Sequence, residues 1–221
     1  MISPWRVERV RAPVASLLEG LDPTERAVRL IVPTEPAVVL GSTQPESDLD
    51  RSRVAAAGFA VGRRRSGGGA VLVGPGQALW LDVVIPKGDA HWCVDVGRAF
   101  WWLGEVWAAA LESVGVGGAE VWRRGLIRTS WSDRVCFAGR GPGEVTVAGA
   151  KVVGMAQRRT RAGAHFQCAV PITWQPGQLL DLFVLDDESR AEGRRALARV
   201  AHGVGEGVAD RLADAFLTQI S

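Results

Sequence analysis

The sequence predicts an α+β domain, a mixed α/β chain in which a mostly antiparallel or mixed β-sheet is flanked by helices. Three observations point there. Short β-branched runs bounded by Gly and Pro recur along the first two thirds of the chain. One long three–four apolar pattern interrupts them, and the chain turns helical from Leu179 onward. A length of 221 residues suits one domain spanning 1–221, with a helical tail over about 186–221.

The elements are expected in the following order. Pro13 to Leu21 forms a short opening helix. Ala27 to Val32 and Ala37 to Leu40 read as strands, with Pro33-Thr34-Glu35-Pro36 turning between them. Ser47 to Ala57 reads as a polar helix ending at Gly58, and Phe59 to Arg63 as the next strand. Ala70 to Val73 and Ala78 to Ile85 look like a hairpin across Gly74-Pro75-Gly76. The long helix runs from about Cys93 to Val114, with Val96, Phe100, Leu103, Trp107, Leu111 and Val114 on one face and Gly115 as its stop. Strands are expected at Ala119 to Trp122, Glu144 to Val147, Lys151 to Ala156 and Ala164 to Val170, with a turn over 139–143. Gln178 to Val184, Ser189 to His202 and Val208 to Ile220 are helical and pack outside the sheet, with no motif of their own.

Composition excludes several classes. The 47% apolar and 23% charged fractions are those of a soluble globular protein. A net charge of +2 does not indicate a general nucleic-acid grip, and no apolar run reaches membrane-spanning length. Cys93, Cys136 and Cys168 are odd in number and form no Cys-x-x-Cys pair, which argues against a disulfide framework or a zinc site. The first residues, Met1-Ile2-Ser3-Pro4-Trp5-Arg6, lack the layout of a signal peptide, so a cytoplasmic location is expected.

Two segments carry chemistry. Arg63-Arg64-Arg65 runs into Ser66-Gly67-Gly68-Gly69-Ala70-Val71. Consecutive glycines let backbone N–H groups close on an anion, and neighbouring guanidiniums suit phosphate or carboxylate. The alternative is a flexible surface turn with a solvated charge run. The spacing matches neither the Walker loop nor the dinucleotide fingerprint. The second segment is Gly149-Ala150-Lys151-Val152-Val153-Gly154-Met155-Ala156-Gln157-Arg158, preceded by Cys136-Phe137 and Gly143-Glu144-Val145. Lys87 and Lys151 are the only lysines in an arginine-rich chain. A strand-borne Lys151 between glycines is placed to polarise an acyl carbonyl and neutralise a phosphate; the competing reading is an exposed edge-strand lysine.

Taken together and in this order, Val39-Leu40-Gly41-Ser42-Thr43-Gln44, the loop Arg64 to Val71, Cys136-Phe137 and Gly149 to Arg158 resemble the lipoate–protein ligase and octanoyltransferase family over roughly residues 25–185. The resemblance implies the catalytic-domain fold shared with biotin–protein ligases. It implies that Arg64, Arg65, Ser66, Gly67, Gly68, Gly69, Ala70 and Val71 wrap the acyl chain and the acyl-phosphate end of an intermediate. It implies that Lys151 contacts the acyl carbonyl and the phosphate, and that Gly149, Gly154 and Ala156 keep the strand low beneath the acyl chain. Gln77 stands beside the site where the family often has Gly-Asn-Leu. Ala150 replaces an arginine, Met155 a serine, and Gln167-Cys168 a His-Gly pair. The implied product is an amide between a lipoyl-type acid and a lysine of a lipoyl carrier domain of a 2-oxoacid dehydrogenase or glycine-cleavage protein. The helical tail is too short for a full accessory domain, so a separate accessory subunit completes the enzyme or the tail suffices.

Cys136 divides the activity readings. A ligase uses ATP and Mg²⁺ with lipoate or octanoate and needs no nucleophilic cysteine. A cysteine-dependent octanoyltransferase takes octanoate from acyl-carrier protein as a thioester on Cys136 and needs no cofactor. Lys151 and the arginines would favour the Cys136 thiolate if they lie near it. A third reading is a non-catalytic acyl- or nucleotide-binding relative. Cys168 is expected on a buried strand, Cys93 at a helix start, and His165 on an exposed strand face. Arg158, Arg159 and Arg161 form a second basic cluster that meets nucleotide phosphate, an acidic carrier surface or solvent. No residue is singled out as a metal ligand, and no nucleic acid or membrane partner is expected.

Overall fold

A computed structural model describes residues 4–221. Two sheets carry the fold. The larger has seven strands: β1 (Arg6–Ala12), β2 (Ala27–Pro33), β6 (Ala78–Pro86), β10 (Gly163–Pro171), β9 (Ala150–Arg159), β8 (Val145–Val147) and β7 (Ala119–Val121), in that spatial order. The smaller sets β3 (Ala37–Leu40) between β4 (Ala60–Arg63) and β5 (Val71–Val73). The large sheet is antiparallel except for the β1–β2 pair. The six helices are α1 (Val14–Leu17), α2 (Arg51–Ala56), α3 (Trp101–Ser113), α4 (Pro176–Leu180), α5 (Asp187–Leu197) and α6 (Glu206–Ile220).

Three apolar layers follow from the two-residue period of the strands. Val83, Ile85, Phe166, Cys168 and Val170 point from the large sheet to one side, where Leu103, Trp107 and Leu111 of α3 meet Leu212 and Phe216 of α6. The Trp107 and Phe216 ring centroids are 4.3 Å apart. Ile31 and Trp80 point to the other side, onto Ala37, Val39 and Val73 of the small sheet. The outer face of the small sheet, Val38 and Leu40, is covered by Val54 of α2, Leu179 and Leu180 of α4 and Leu197 of α5. Each large side chain fully buried here contributes about 1.5–3 kcal/mol.

Several sequence expectations are corrected. The strand β1 was not anticipated, because charged residues alternate along it and it lies at a sheet edge. Val71–Val73 and Ala78–Pro86 are not a hairpin: they belong to different sheets and share only the isolated Gly74–Ala78 bridge. Pro33 to Pro36 likewise crosses between sheets. The two crossings touch at Gly74, where a Cβ would lie 2.7 Å from the Glu35 carbonyl oxygen. The long helix starts at Trp101, not near Cys93. Asp95 accepts from the N–H groups of Gly97 and Arg98 and opens a 3-10 turn, leaving Val96 57% exposed. The polar helix at 47–57 is split: Leu49 is extended and bridges to Phe183, and α2 starts only after the Asp50 cap. The tail is not wholly external either. Between α5 and α6 it runs beside β9, so that Lys151 N–H donates to Val200 O at 2.9 Å and His202 N–H to Lys151 O at 3.0 Å.

The N-terminal strand is anchored by a buried pair. Arg26 donates to both carboxylate oxygens of Asp89, one at 2.8 Å, and lies 5.2 Å from the Trp5 ring centroid. Burial pushes the Asp89 carboxyl up, but the Arg26 and His91 N–H groups outweigh it and hold it below the usual carboxylate range. A depressed carboxyl stabilises the fold above its unfolded value of about 3.9, and that contribution is lost as pH falls through the folded value. Asp89→Asn is therefore expected to cost about 3 kcal/mol at pH 7, with the gap from wild type closing in strong acid. Urea midpoints from pH 7 to pH 2.5 measure this, and a gap that holds constant across the series contradicts it.

Candidate active site

The site lies where β9, the glycine loop and the segment 122–143 converge. Lys151 is the second residue of β9 and is 2% exposed, not an edge lysine in solvent. Its ammonium is 2.7 Å from Glu144 Oε1 and donates to the carbonyls of Cys136 at 3.0 Å and Gly139 at 3.1 Å. Three donors thus meet three oxygens. The ammonium also sits 4.9 Å from the Phe137 ring centroid. Gly154 makes room for this arrangement, since a Cβ there would come 3.2 Å from Lys151 Cε and 3.1 Å from Phe137 Cζ.

Glu144 is the site residue to which the sequence assigned no role. It is buried, and besides Lys151 it accepts from the backbone N–H of Met155 at 3.0 Å and of Gly141 at 2.7 Å. A buried carboxylate with this many donors is the counter-charge that makes a buried lysine tolerable. The available signal was a lone acid flanked by Gly143 and a β-branched strand, in a stretch otherwise rich in arginine.

The glycine loop approaches as expected, but its arginines do other work. Arg64 is buried and donates to the carbonyls of Gly67, Gly69 and Val39 at 2.8, 2.8 and 3.3 Å. Arg63 donates to the carbonyls of Gly41 and Gln44. Three glycines offer carbonyls without side chains to satisfy them, and a guanidinium with five donors fills that need. Arg65 is exposed and lies outside the cleft. Ser66 Oγ donates to Gln167 Oε1 at 2.7 Å. Ala70 N–H donates to Arg134 O and Cys136 N–H to Ala70 O, joining the loop to the segment that carries Cys136. Gly41 permits the loop's closest approach, since a Cβ there would fall 1.8 Å from Gly68 O.

Gly67, Gly68 and Gly69 line a cleft of about 830 Å³ together with Cys136, Lys151 and Ala156. Besides Lys151, its cations are Arg128, Arg134 and Arg140, from the segment after β7, rather than Arg64 and Arg65. A narrow, largely apolar slot of about 30 Å³ adjoins it, lined by Arg64, Val71, Trp80, Gly154, Gln167, Cys168 and Ala169, and shares Cys136, Met155 and Ala156 with the cleft. Two expected residues stand apart. Gln77 lines a separate small cavity with Phe137 and Trp174. Gly149 sits in the exposed β8–β9 turn at φ 79°, where its carbonyl accepts from Arg140. Arg158 is exposed, and Arg159 donates to the carbonyls of Cys93 and Val94 over the Trp92 ring, so neither enters the cleft. His165 is buried, not exposed, with Nε2 2.9 Å from Asp82 Oδ2.

The cysteines separate by environment. Cys136 is half-buried in a 3-10 turn, and its contact with Lys151 is through its carbonyl oxygen. Cys168 is fully buried on β10, and burial pushes its thiol up to about 12. Cys93 sits in a loop, not at a helix start. Iodoacetamide applied to the native protein is expected to label Cys136 and spare Cys168, as read by peptide mass spectrometry. Equal labelling of both would contradict the burial of β10.

The family model of the lipoyl protein ligase A/B catalytic domain matches residues 14–205. No curated protein matches the sequence. Among solved structures, the chain is similar to an archaeal bi-partite lipoate protein ligase from Thermoplasma acidophilum. The TM-score is 0.69 at 16% identity, covering 97% of this chain and 83% of that one. It is similar to a lipoate-protein ligase A solved with ATP bound, with TM-score 0.69, 16% identity, and 97% and 85% of the two chains covered. It is also similar to LipL1 of P. falciparum solved with lipoate, with TM-score 0.64, 13% identity, and 98% and 61% covered. At these identities the structural likeness bears on the fold.

Proposed function

Because the chain belongs to the lipoyl protein ligase A/B catalytic-domain family, we propose that it attaches a lipoyl or octanoyl group to a lysine of a lipoyl carrier domain through an acyl-adenylate. The observation that carries this reading is the position of Lys151. A buried ammonium lines a cleft large enough for a nucleotide, and a small apolar slot opens off the same cleft.

In the first half-reaction the acid's carboxylate oxygen attacks the α-phosphorus of ATP, and pyrophosphate leaves. In the second, the carrier's lysine amine attacks the acyl carbonyl, loses a proton and expels AMP. Arg128, Arg134 and Arg140 supply charge for the phosphates from the cleft wall. Lys151 polarises the acyl carbonyl, whose oxygen replaces the Cys136 or Gly139 carbonyl as its partner, while Glu144 holds the side chain in place. Gly154, Ala156 and Ala169 keep the slot wall low, so that an acyl tail enters it with the neighbouring side chains moving apart. Among the described residues no group of three His, Cys, Asp or Glu is arranged to hold a metal ion. Mg²⁺ bound with the nucleotide would take its oxygens largely from the phosphates, a usual mode for this cation.

One observation favours a second reading. Cys136 lines both the cleft and the slot, the place where an acyl carbonyl would lie. A Cys136 thiolate there could take octanoate from acyl-carrier protein, releasing the carrier's thiol, and pass it to the target lysine. Intact mass of a lipoyl domain separates the two. Modification with ATP, Mg²⁺ and lipoate or octanoate, kept in Cys136→Ala, supports the ligase. Modification only from octanoyl-acyl-carrier protein, lost in Cys136→Ala, supports the transferase. Silence in both overturns each reading for the isolated chain.

A further inference from the structure

We propose that a band of arginine-stacked indoles beside the cleft mouth is the docking surface for the carrier domain, and that the docked partner is acidic; this rests on the function proposed above. Residues 122–140 hold five arginines, at 123, 124, 128, 134 and 140, against the single acid Asp133, in a chain whose net charge is +2. The band leads outward from the cleft. Arg140, on the cleft wall, lies 4.8 Å from the Trp122 ring centroid, and Arg124 lies 5.3 Å from the same ring. Arg123 and Arg98 flank Trp101 at 5.9 and 5.2 Å. Gly97 abuts Pro142, which keeps Arg98 beside the cleft turn.

Stacking on an indole fixes a guanidinium's plane and leaves N–H edges free for carboxylates. Arg123 and Arg128 have acidic partners, Glu105 and Asp133, whereas Arg98, Arg124 and Arg140 have no ion-pair partner among the described residues. Two features favour a protein over a nucleotide. Arg98, Trp101, Arg123 and Arg124 lie outside the cleft lining, beyond the wall that would hold phosphates. Leu126 and Ile127 line the cleft yet are 63% and 43% exposed on the same segment, and aliphatic crests that continue from the cleft among arginines match a protein surface with an acidic rim.

The test uses the full chain and a purified acidic lipoyl domain, titrated by calorimetry at several salt concentrations. Arg98→Glu/Arg124→Glu is expected to raise Kd at least tenfold and flatten its salt dependence, while ATP affinity is unchanged. Arg11→Glu/Arg211→Glu, on β1 and α6, is the matched control and is expected to leave Kd near wild type. An unchanged Kd in the first variant, equal weakening in the control, or weakening confined to ATP would each overturn the proposal. The last outcome would assign the band to the nucleotide. Docking that follows these expectations without any acylation would leave the surface standing and remove the proposed activity. Acylation with an unaltered carrier KM in the reversed variant would do the opposite.

Discussion

Lys151→Met is expected to lower acyl transfer about a thousandfold and to destabilise the protein at the same time. The activity loss follows from the ammonium's position in the lining of the cleft. The stability loss has a different source. Glu144 would keep two backbone N–H donors but lose its counter-charge in a buried setting, a change worth about 3–5 kcal/mol. The two effects can be separated. Lys151→Met/Glu144→Leu removes both charges and is expected to recover part of the thermal midpoint and none of the turnover. Mass spectrometry of the carrier and calorimetric melting of each variant give both readouts. A Lys151→Met protein that still turns over removes Lys151 from the mechanism. A double variant no more stable than the single one contradicts the account of Glu144.

Gly69→Ala is the second substitution with a large expected effect, and Gly67→Ala is its internal control. A Cβ at Gly69 would stand 2.4 Å from Val135 N and 2.5 Å from Arg134 C, both backbone atoms that cannot turn aside. The loop would have to withdraw and give up its Ala70–Arg134 and Cys136–Ala70 hydrogen bonds. The expected cost is about 3 kcal/mol, with activity falling about a hundredfold as the cleft wall shifts. A Cβ at Gly67 meets nothing within 4 Å, so that variant is expected to stay within about 0.5 kcal/mol of wild type. Between them Gly68 is at φ 96°, a left-handed conformation suited to glycine. Three adjacent glycines thus differ in what they permit. Melting and single-turnover acylation of both variants test this, and equal tolerance at 67 and 69 contradicts the loop's contact with 134–135.

Much of the fold was legible because its central strands are apolar and continuous: β2, β3, β6, β9 and β10 all follow from their residues. The failures share a cause. A run bounded by Gly-Pro-Gly looks the same whether the chain folds back on itself or crosses to another sheet, so β5 and β6 read as a hairpin. A helical period also extends through Val96, where the backbone is instead held by Asp95. At the candidate site, residue types singled out Lys151 and the three glycines, which the fold brings to one cleft. They could not show that Arg64 is directed inward at its own loop, because the demand comes from carbonyls that only the folded loop buries. The cleft's arginines come from a segment that forms little regular structure and so has no period to read.

The backbone of Lys151 is held on one side by residues 200–202, between the last two helices. A ribosome making this chain has therefore completed the glycine loop, Cys136, Glu144 and Lys151 well before the segment that fixes the lysine's strand exists. The nascent protein carries every proposed catalytic group, yet one side of the Lys151 strand has no partner until the tail emerges and packs. The proposed activity therefore waits on residue 202, and chains released short of it are expected to retain the proposed reacting groups without the strand pairing that fixes Lys151.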